Sequence, residues 1–74
     1  MMIDRATQNR WILGEEVPGV AFRMNQNIMV VAGVHKGTRG TLISLYELGS
    51  DPLFALESKT GDYQVRQSEI QADN

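Results

Sequence analysis

Apolar and polar positions alternate over short stretches in most of the chain, in the pattern of β-strands separated by turns. Apolar runs of this kind occupy residues 20–23, 28–31, 41–48, 54–57 and 63–66. Turn-forming sequences lie between several of them: Asn25-Gln26-Asn27, Gly49-Ser50-Asp51-Pro52 and Lys59-Thr60-Gly61. Because such short runs bounded by Gly, Pro, Asn and Asp favour strands joined by tight turns, the sequence predicts an all-β, antiparallel fold.

Two places in this pattern depart from simple alternation. Leu42 is followed by both Ile43 and Leu45, so the inward face changes within one strand. An extra residue in a β-bulge has this effect, and the sequence predicts a long, twisted strand with a bulge over residues 41–48. Near the end of the chain, Ser68-Glu69-Ile70 predicts one tight turn that brings Ile70 into the core.

An open sheet of this size would expose unpaired backbone groups along its edge strands, next to apolar runs that favour aggregation. Curling the sheet into a small barrel removes that exposure. The predicted core comprises Phe22, Ile28, Val30, Leu42, Leu45, Phe54, Leu56, Val65 and Ile70, with Tyr63 at its margin.

The first sixteen residues permit two interpretations. Ile3, Ala6, Arg10 and Leu13 would share one side of a short helix that ends at Gly14. Alternatively, residues 1–16 form a loose arm that is anchored by its apolar cluster at residues 11–13. In both cases Trp11 is expected to pack on the sheet rather than on a partner. The sequence therefore predicts an arm over residues 1–16, a barrel over residues 17–71 and a polar tail over residues 72–74.

Residues 33–40 form a basic, glycine-rich segment between two apolar runs, which we call the basic loop. Its Gly33, Lys36, Gly37 and Gly40, followed by Leu42, have the spacing of a KOW motif. The chain resembles the KOW family over residues 27–71. This resemblance implies a small SH3-like barrel of the type found in ribosomal proteins and transcription elongation factors. It implies a binding module and identifies no partner.

Composition and charge restrict the functions that this resemblance allows. The chain has 74 residues, enough for one domain, with 42% hydrophobic and 22% charged residues. Seven Lys and Arg residues oppose nine Asp and Glu residues, so the net charge is −2. A protein that coats itself with RNA usually has a basic excess. The only local exception is the segment between Asn25 and Leu45, which contains no acidic residue.

Candidate catalytic and metal-binding chemistry is sparse. His35 is the single histidine and the chain has no cysteine, so we expect neither a metal site nor a bound cofactor. No nucleophile and base have a recognisable spacing, so we expect no enzyme activity and no small-molecule substrate. The basic loop lacks the ending of a phosphate-binding P-loop. Its Gly33, Gly37 and Gly40 are expected to serve backbone geometry.

Two kinds of partner remain. The first is RNA or a ribonucleoprotein or transcription component, contacted through His35, Lys36 and Arg39 of the basic loop. The second is a partner protein, contacted through the barrel surface at Tyr46 and Tyr63. Small bacterial chains with SH3-like folds include subunits of larger complexes and immunity proteins, and an acidic surface suits a basic partner. The KOW resemblance favours RNA slightly. We expect a cytoplasmic location with neither a signal peptide nor a membrane segment.

Overall fold

The computed structural model describes residues 3–73, which form one helix and one five-stranded antiparallel sheet. In chain order the elements are α1 (Arg5–Ile12), β1 (Asn27–Val30), β2 (Arg39–Glu47), β3 (Leu53–Ser58), β4 (Gly61–Arg66), a 3₁₀ turn (Gln67–Glu69) and β5 (Ile70–Ala72). The first two residues of the predicted arm and the last of the predicted tail lie outside the described residues. Ala72, assigned to the tail above, belongs to β5. No helix in residues 3–73 has the length and apolar character needed to span a membrane.

The sheet has the strand order β4-β3-β2-β1-β5 and is not closed by pairing between β4 and β5. If the sheet were flat, its two edge strands would lie about 19 Å apart. The 3₁₀ turn between Arg66 and Ile70 covers only about 8 Å. The sheet must therefore curl strongly, because this short connection brings its two edges towards each other.

The bulge predicted in the long strand is confirmed. β2 pairs with β3 with shifts in register between Leu42 and Ser44 and again between Leu45 and Glu47. Both Leu42 and Leu45 are fully buried in spite of their odd spacing. The shifts turn the strand so that each leucine points into the core. The tight hairpin at residues 59 and 60 is also confirmed, with Ser58 opposite Gly61.

One apolar cluster joins the helix and the sheet. It consists of Trp11, Val17, Ile28, Val30, Leu42, Leu45, Phe54, Leu56, Val65 and Ile70. Eight of the nine predicted core residues are buried as expected, whereas Phe22 is half-buried and packs edge-on against Phe54 at 6.1 Å between ring centroids. Tyr63 is half-buried, in keeping with a place at the margin. The predicted core omits Trp11, which is 2% exposed and lies 5.9 Å from the Phe54 ring.

The N-terminal residues form a helix, but the inward face proposed from the sequence is wrong. Ala6, Arg10 and Leu13 are exposed, Leu13 to 75%. Trp11 is the buried residue of the helix, and Gln8 is half-buried. The inward side of the helix carries the polar Gln8, so the apolar periodicity of the sequence favours the opposite side. The hydrogen-bond partners of Gln8 on the sheet are not visible in that periodicity.

The ends of α1 are defined by local hydrogen bonds. The Asp4 carboxylate accepts a hydrogen bond from the backbone N–H of Thr7 at 2.8 Å, and this bond lowers the pKa of Asp4. At the other end Gly14 has a φ of +83°, a left-handed conformation that stops the helix as predicted.

The strand predicted at residues 20–23 is wrong, because this segment is irregular. Its backbone groups bond to side chains and to nearby backbone within the same loop, and not to a neighbouring strand. The amide of Gln67 accepts a hydrogen bond from Ala21 N–H at 2.8 Å and donates one to the Gly19 carbonyl at 3.2 Å. The Trp11 indole donates to the Phe22 carbonyl at 2.8 Å. These bonds hold the segment beside the core without a strand and satisfy several of its backbone polar groups.

Helix α1 covers an edge of β2 that β1 is too short to reach. β1 pairs only with residues 39–41 of β2. Further along, the Gln8 side chain accepts a hydrogen bond from Leu45 N–H at 3.1 Å and donates one to Ser44 Oγ at 2.7 Å. The backbone N–H of Ile3 donates to the Tyr46 carbonyl at 3.3 Å. The helix and the residues just before it therefore supply β2 with hydrogen bonds that a longer neighbouring strand would otherwise make.

The turn between β2 and β3 is fastened to the 3₁₀ turn. Asp51 accepts hydrogen bonds from Ser68, through its hydroxyl at 2.7 Å and its backbone N–H at 2.8 Å. The Ser68 side chain and then its backbone lower the pKa of Asp51. Arg66 forms an ion pair with Glu47 at 3.0 Å beside this contact. These contacts fix the ends of β2 and β4 together.

Candidate functional site

The basic loop extends the hairpin of β1 and β2 and then folds back on itself. Val30 N–H donates to the Thr38 carbonyl and Gly37 N–H donates to the Val30 carbonyl, both at 2.8 Å. Gly33 and Gly37 have φ values of +86° and +96°, which only glycine adopts readily. The bend between them carries the half-buried His35 and the exposed Lys36.

Gly40 serves a different requirement from the other two glycines of the loop. Its φ is outside the left-handed region. A Cβ atom at this position would collide with the Glu57 carbonyl oxygen and lie 2.8 Å from Leu56 Cδ1. The absence of a side chain therefore lets β2 pass close to β3. This approach places the start of β2 beside the turn between β3 and β4.

His35 and Tyr63 join the basic loop to the β3–β4 hairpin. Their ring centroids lie 4.2 Å apart with 31° between the planes. Both side chains are half-buried. The Tyr63 hydroxyl lies 3.0 Å from Thr60 Oγ1 and 3.2 Å from the Thr60 carbonyl, to which it donates. The loop and the hairpin turn therefore form one continuous surface.

A cleft of about 450 Å³ lies on this surface, between the basic loop and the hairpin turn. We call it the loop cleft. It is lined by Gly37, Thr38, Arg39, Ser58, Lys59 and Thr60. Two cations and three hydroxyl groups thus meet in one depression, and no carboxylate of residues 3–73 lines it. Such a lining favours an anionic group.

The loop cleft shares Arg39, Ser58 and Lys59 with a second depression, which contains acidic residues. Asn27, Gly40, Thr41, Glu57 and Asp73 line that second depression with Arg39, Ser58 and Lys59. Arg39 Nε lies 3.6 Å from Asp73 Oδ2, with the Arg39 side chain 69% exposed. The backbone N–H of Asp73 donates to the Asn27 carbonyl at 3.0 Å, which fixes Asp73 beside β1.

The structure groups some of the predicted site residues and separates another. His35, Arg39 and Tyr63 lie on the surface around the loop cleft, and Lys36 is exposed on the same loop. Tyr46 lies elsewhere, in a depression with Glu47, Leu53 and Gln64.

Sequence reasoning missed two residues at this surface. Lys59 lines the loop cleft, but in the sequence it stands in a hairpin turn, where a lone lysine carries no functional signal. Val34 is 93% exposed at the tip of the basic loop. The sequence does carry a signal for Val34, because an apolar residue in a glycine-bounded turn lies outside the strands and is expected to stay in solvent.

Comparison of the chain with protein-family models, with curated proteins and with solved structures gives no match. The described residues contain no group of three or more His, Cys, Asp or Glu side chains placed to hold a metal ion. The loop cleft and its surroundings are therefore the features from which we infer the function.

Proposed function

We propose that this chain is a non-catalytic, cytoplasmic interaction module of the KOW type, which binds RNA or a ribonucleoprotein through the basic loop. The observation that carries the proposal is the loop cleft. Arg39 and Lys59 line it without a carboxylate, and the rings of His35 and Tyr63, in contact with each other at 4.2 Å between centroids, lie beside it. Cations position a phosphate backbone, and aromatic or imidazole rings at such a surface offer a face to a base.

The arrangement of strands supports an SH3-like barrel as the framework of this module. β1 to β4 follow one another as neighbours in the sheet, and β5 returns to pair with β1 after a single 3₁₀ turn. The resemblance to KOW domains implies such a turn after the fourth strand of the motif. The strong curl of the sheet is consistent with a barrel that remains open between β4 and β5.

The charge distribution limits how this module binds RNA. A net charge of −2 gives no long-range attraction, so affinity must come from the two cations that line the cleft and from Lys36 on the same loop. Each neutralised phosphate releases counterions, and Lys36, Arg39 and Lys59 can neutralise about two or three phosphates. We therefore expect weak RNA binding. The logarithm of the binding constant should fall with the logarithm of the salt concentration, with a shallow slope.

A charge-reversal pair tests the proposal. The double variant Lys36→Glu, Arg39→Glu is expected to weaken binding to a single-stranded RNA by at least about tenfold at low salt. The double variant Arg5→Glu, Arg10→Glu makes the same change in net charge on α1, which shares no residue with the loop cleft. This variant is the matched control, and its affinity for the RNA should fall by only about two- to threefold. Equal losses in the two variants would remove the cleft from the mechanism.

A protein partner is the second candidate, and the exposed apolar residues favour it. Val34 is 93% exposed at the loop tip, and Tyr46 is 39% exposed beside Leu53 on another face. Tyrosine is one of the residues that most often anchor protein interfaces, and an exposed apolar residue such as Val34 adds contact area around an anchor. If the parent protein binds no RNA even at low salt, this function takes precedence. Val34→Ser and Tyr46→Ser, tested separately against a captured partner, then identify which face makes the contact.

A further inference from the structure

We propose that the loop cleft is a subsite for one phosphate group, which Arg39 and Lys59 hold, and that Asp73 competes with that phosphate for Arg39. The assignment of the phosphate to an RNA backbone rests on the function proposed above. The subsite itself rests on the lining of the cleft and on the position of Asp73.

The chemistry of the lining suits a phosphate group in particular. Arg39 and Lys59 supply positive charge from opposite sides of the cleft, one from β2 and one from the hairpin turn. Thr38 adds a hydroxyl group that can donate to a phosphate oxygen, whereas the Thr60 hydroxyl already bonds within the hairpin, 3.0 Å from the Tyr63 hydroxyl. Gly37 has no side chain to fill the cleft, and a Cβ added there would meet nothing within 4 Å. The cleft is therefore open, cationic and rich in donors, as an oxyanion requires.

Asp73 is placed to act as the competitor. Its carboxylate lies 3.6 Å from Arg39 and lines the second depression but not the loop cleft, and its own backbone is bound to β1. The Asp73 side chain is 29% exposed and that of Arg39 69%, so solvent screens the pair strongly and its strength is small. A phosphate that contacts both Arg39 and Lys59 can therefore displace the Asp73 carboxylate from Arg39. Removing the Asp73 charge should then strengthen phosphate binding, an effect that unfolding or general damage cannot produce.

The test uses three variants of the full chain. Asp73→Asn removes the competitor and Lys59→Gln removes the second cation. Asp62→Asn is the matched control, since it deletes one negative charge from exposed Asp62 at the start of β4, which lines neither depression. Each protein is titrated with inorganic tripolyphosphate and with a single-stranded uridine oligonucleotide of about ten residues, while backbone amide signals are followed by NMR.

The expected result is saturable shifts at the amides of Gly37, Thr38, Lys59 and Thr60 with both probes. Asp73→Asn should bind about two- to fivefold more tightly than the parent, and Asp62→Asn should remain within about 1.5-fold of it. Lys59→Gln should bind more weakly. Equal gains in Asp73→Asn and Asp62→Asn would overturn the competition, because net charge alone would then explain them.

The two probes separate this inference from the proposed function. Saturable tripolyphosphate binding at the cleft without RNA binding would keep the subsite and reject RNA as its source. RNA binding without shifts at the cleft amides would keep the RNA-binding module and overturn the subsite. Shifts spread over all exposed Lys and Arg residues without saturation would also overturn it.

Discussion

Gly37 and Gly40 are three residues apart in the basic loop, but a side chain would be unfavourable at each for a different physical reason. At Gly37 the backbone has a left-handed φ and the space around it is open. At Gly40 the backbone is ordinary for any residue, while the Glu57 carbonyl and Leu56 occupy the space that a methyl group would need. Conformational strain is local and limited, whereas a collision with the backbone of β3 must displace a strand.

Gly40→Ala is therefore expected to destabilise the protein more than Gly37→Ala. Over-packing against a strand should lower the free energy of unfolding by about 2–3 kcal/mol. An alanine at the left-handed position should lower it by about 1 kcal/mol. In thermal melts these values correspond to decreases in Tm of roughly 10 °C or more and roughly 5 °C. Equal decreases would show that Gly40 is not a point of close strand approach.

At the scale of elements, α1 is a structural neighbour of β2 rather than an appendage. Gln8 satisfies two polar groups of β2 with one side chain, and Trp11 enters the core one turn further along. Removing the Gln8 side chain would leave the Leu45 N–H without its acceptor. Because this contact is half-buried, the unpaired N–H would cost free energy. A polar residue thus defines how this helix docks.

Gln8→Ala is expected to lower the free energy of unfolding by about 2 kcal/mol, because it leaves a half-buried donor without an acceptor. Gln and Ala have similar helix propensities, so the helix itself is little affected. Asn9→Ala, at the next and exposed position, is the control and should change stability by no more than about 0.5 kcal/mol. Chemical denaturation measures both. A Gln8→Ala variant as stable as the control would mean that water replaces the amide without loss.

The elements that the sequence predicted are those with strong local signals. Alternation and turn residues located β3 and β4, and the failure of alternation located the bulge in β2. The 3₁₀ turn followed from Ser68-Glu69-Ile70, and Ile70 is buried as predicted. In each case the backbone responds to residues within a few positions along the chain.

The errors arise where contacts distant in sequence decide the structure. Residues 20–23 have a strand pattern, but the side chain of Gln67, far along the chain, bonds to Ala21 N–H and to the neighbouring Gly19 carbonyl where a strand would pair. The helix turns Gln8 inward because β2 offers partners there. At the candidate site, the pairing of His35 with Tyr63 and the entry of Lys59 into the cleft depend on the packing of two hairpins. No local pattern carries such information.

At the scale of the whole molecule, the helix and the sheet share one core. Trp11 is 2% exposed among Phe54 and the other core residues, and it also fixes the irregular segment through its indole N–H. In a chain of 74 residues the total free energy of unfolding is about 4–11 kcal/mol. Loss of a buried tryptophan alone removes about 3–5 kcal/mol.

Deletion of residues 1–14 should therefore leave a chain that is largely unfolded. It removes Trp11, both hydrogen bonds of Gln8 and the Ile3 contact with β2, which together approach the total stability. Circular dichroism and the dispersion of amide NMR signals measure the outcome, with full-length Trp11→Phe as a folded but weakened comparison. Addition of a peptide of residues 1–16 should restore part of the native signal. A truncated chain that melts cooperatively without the peptide would show that residues 17–73 fold independently and that α1 is an accessory element.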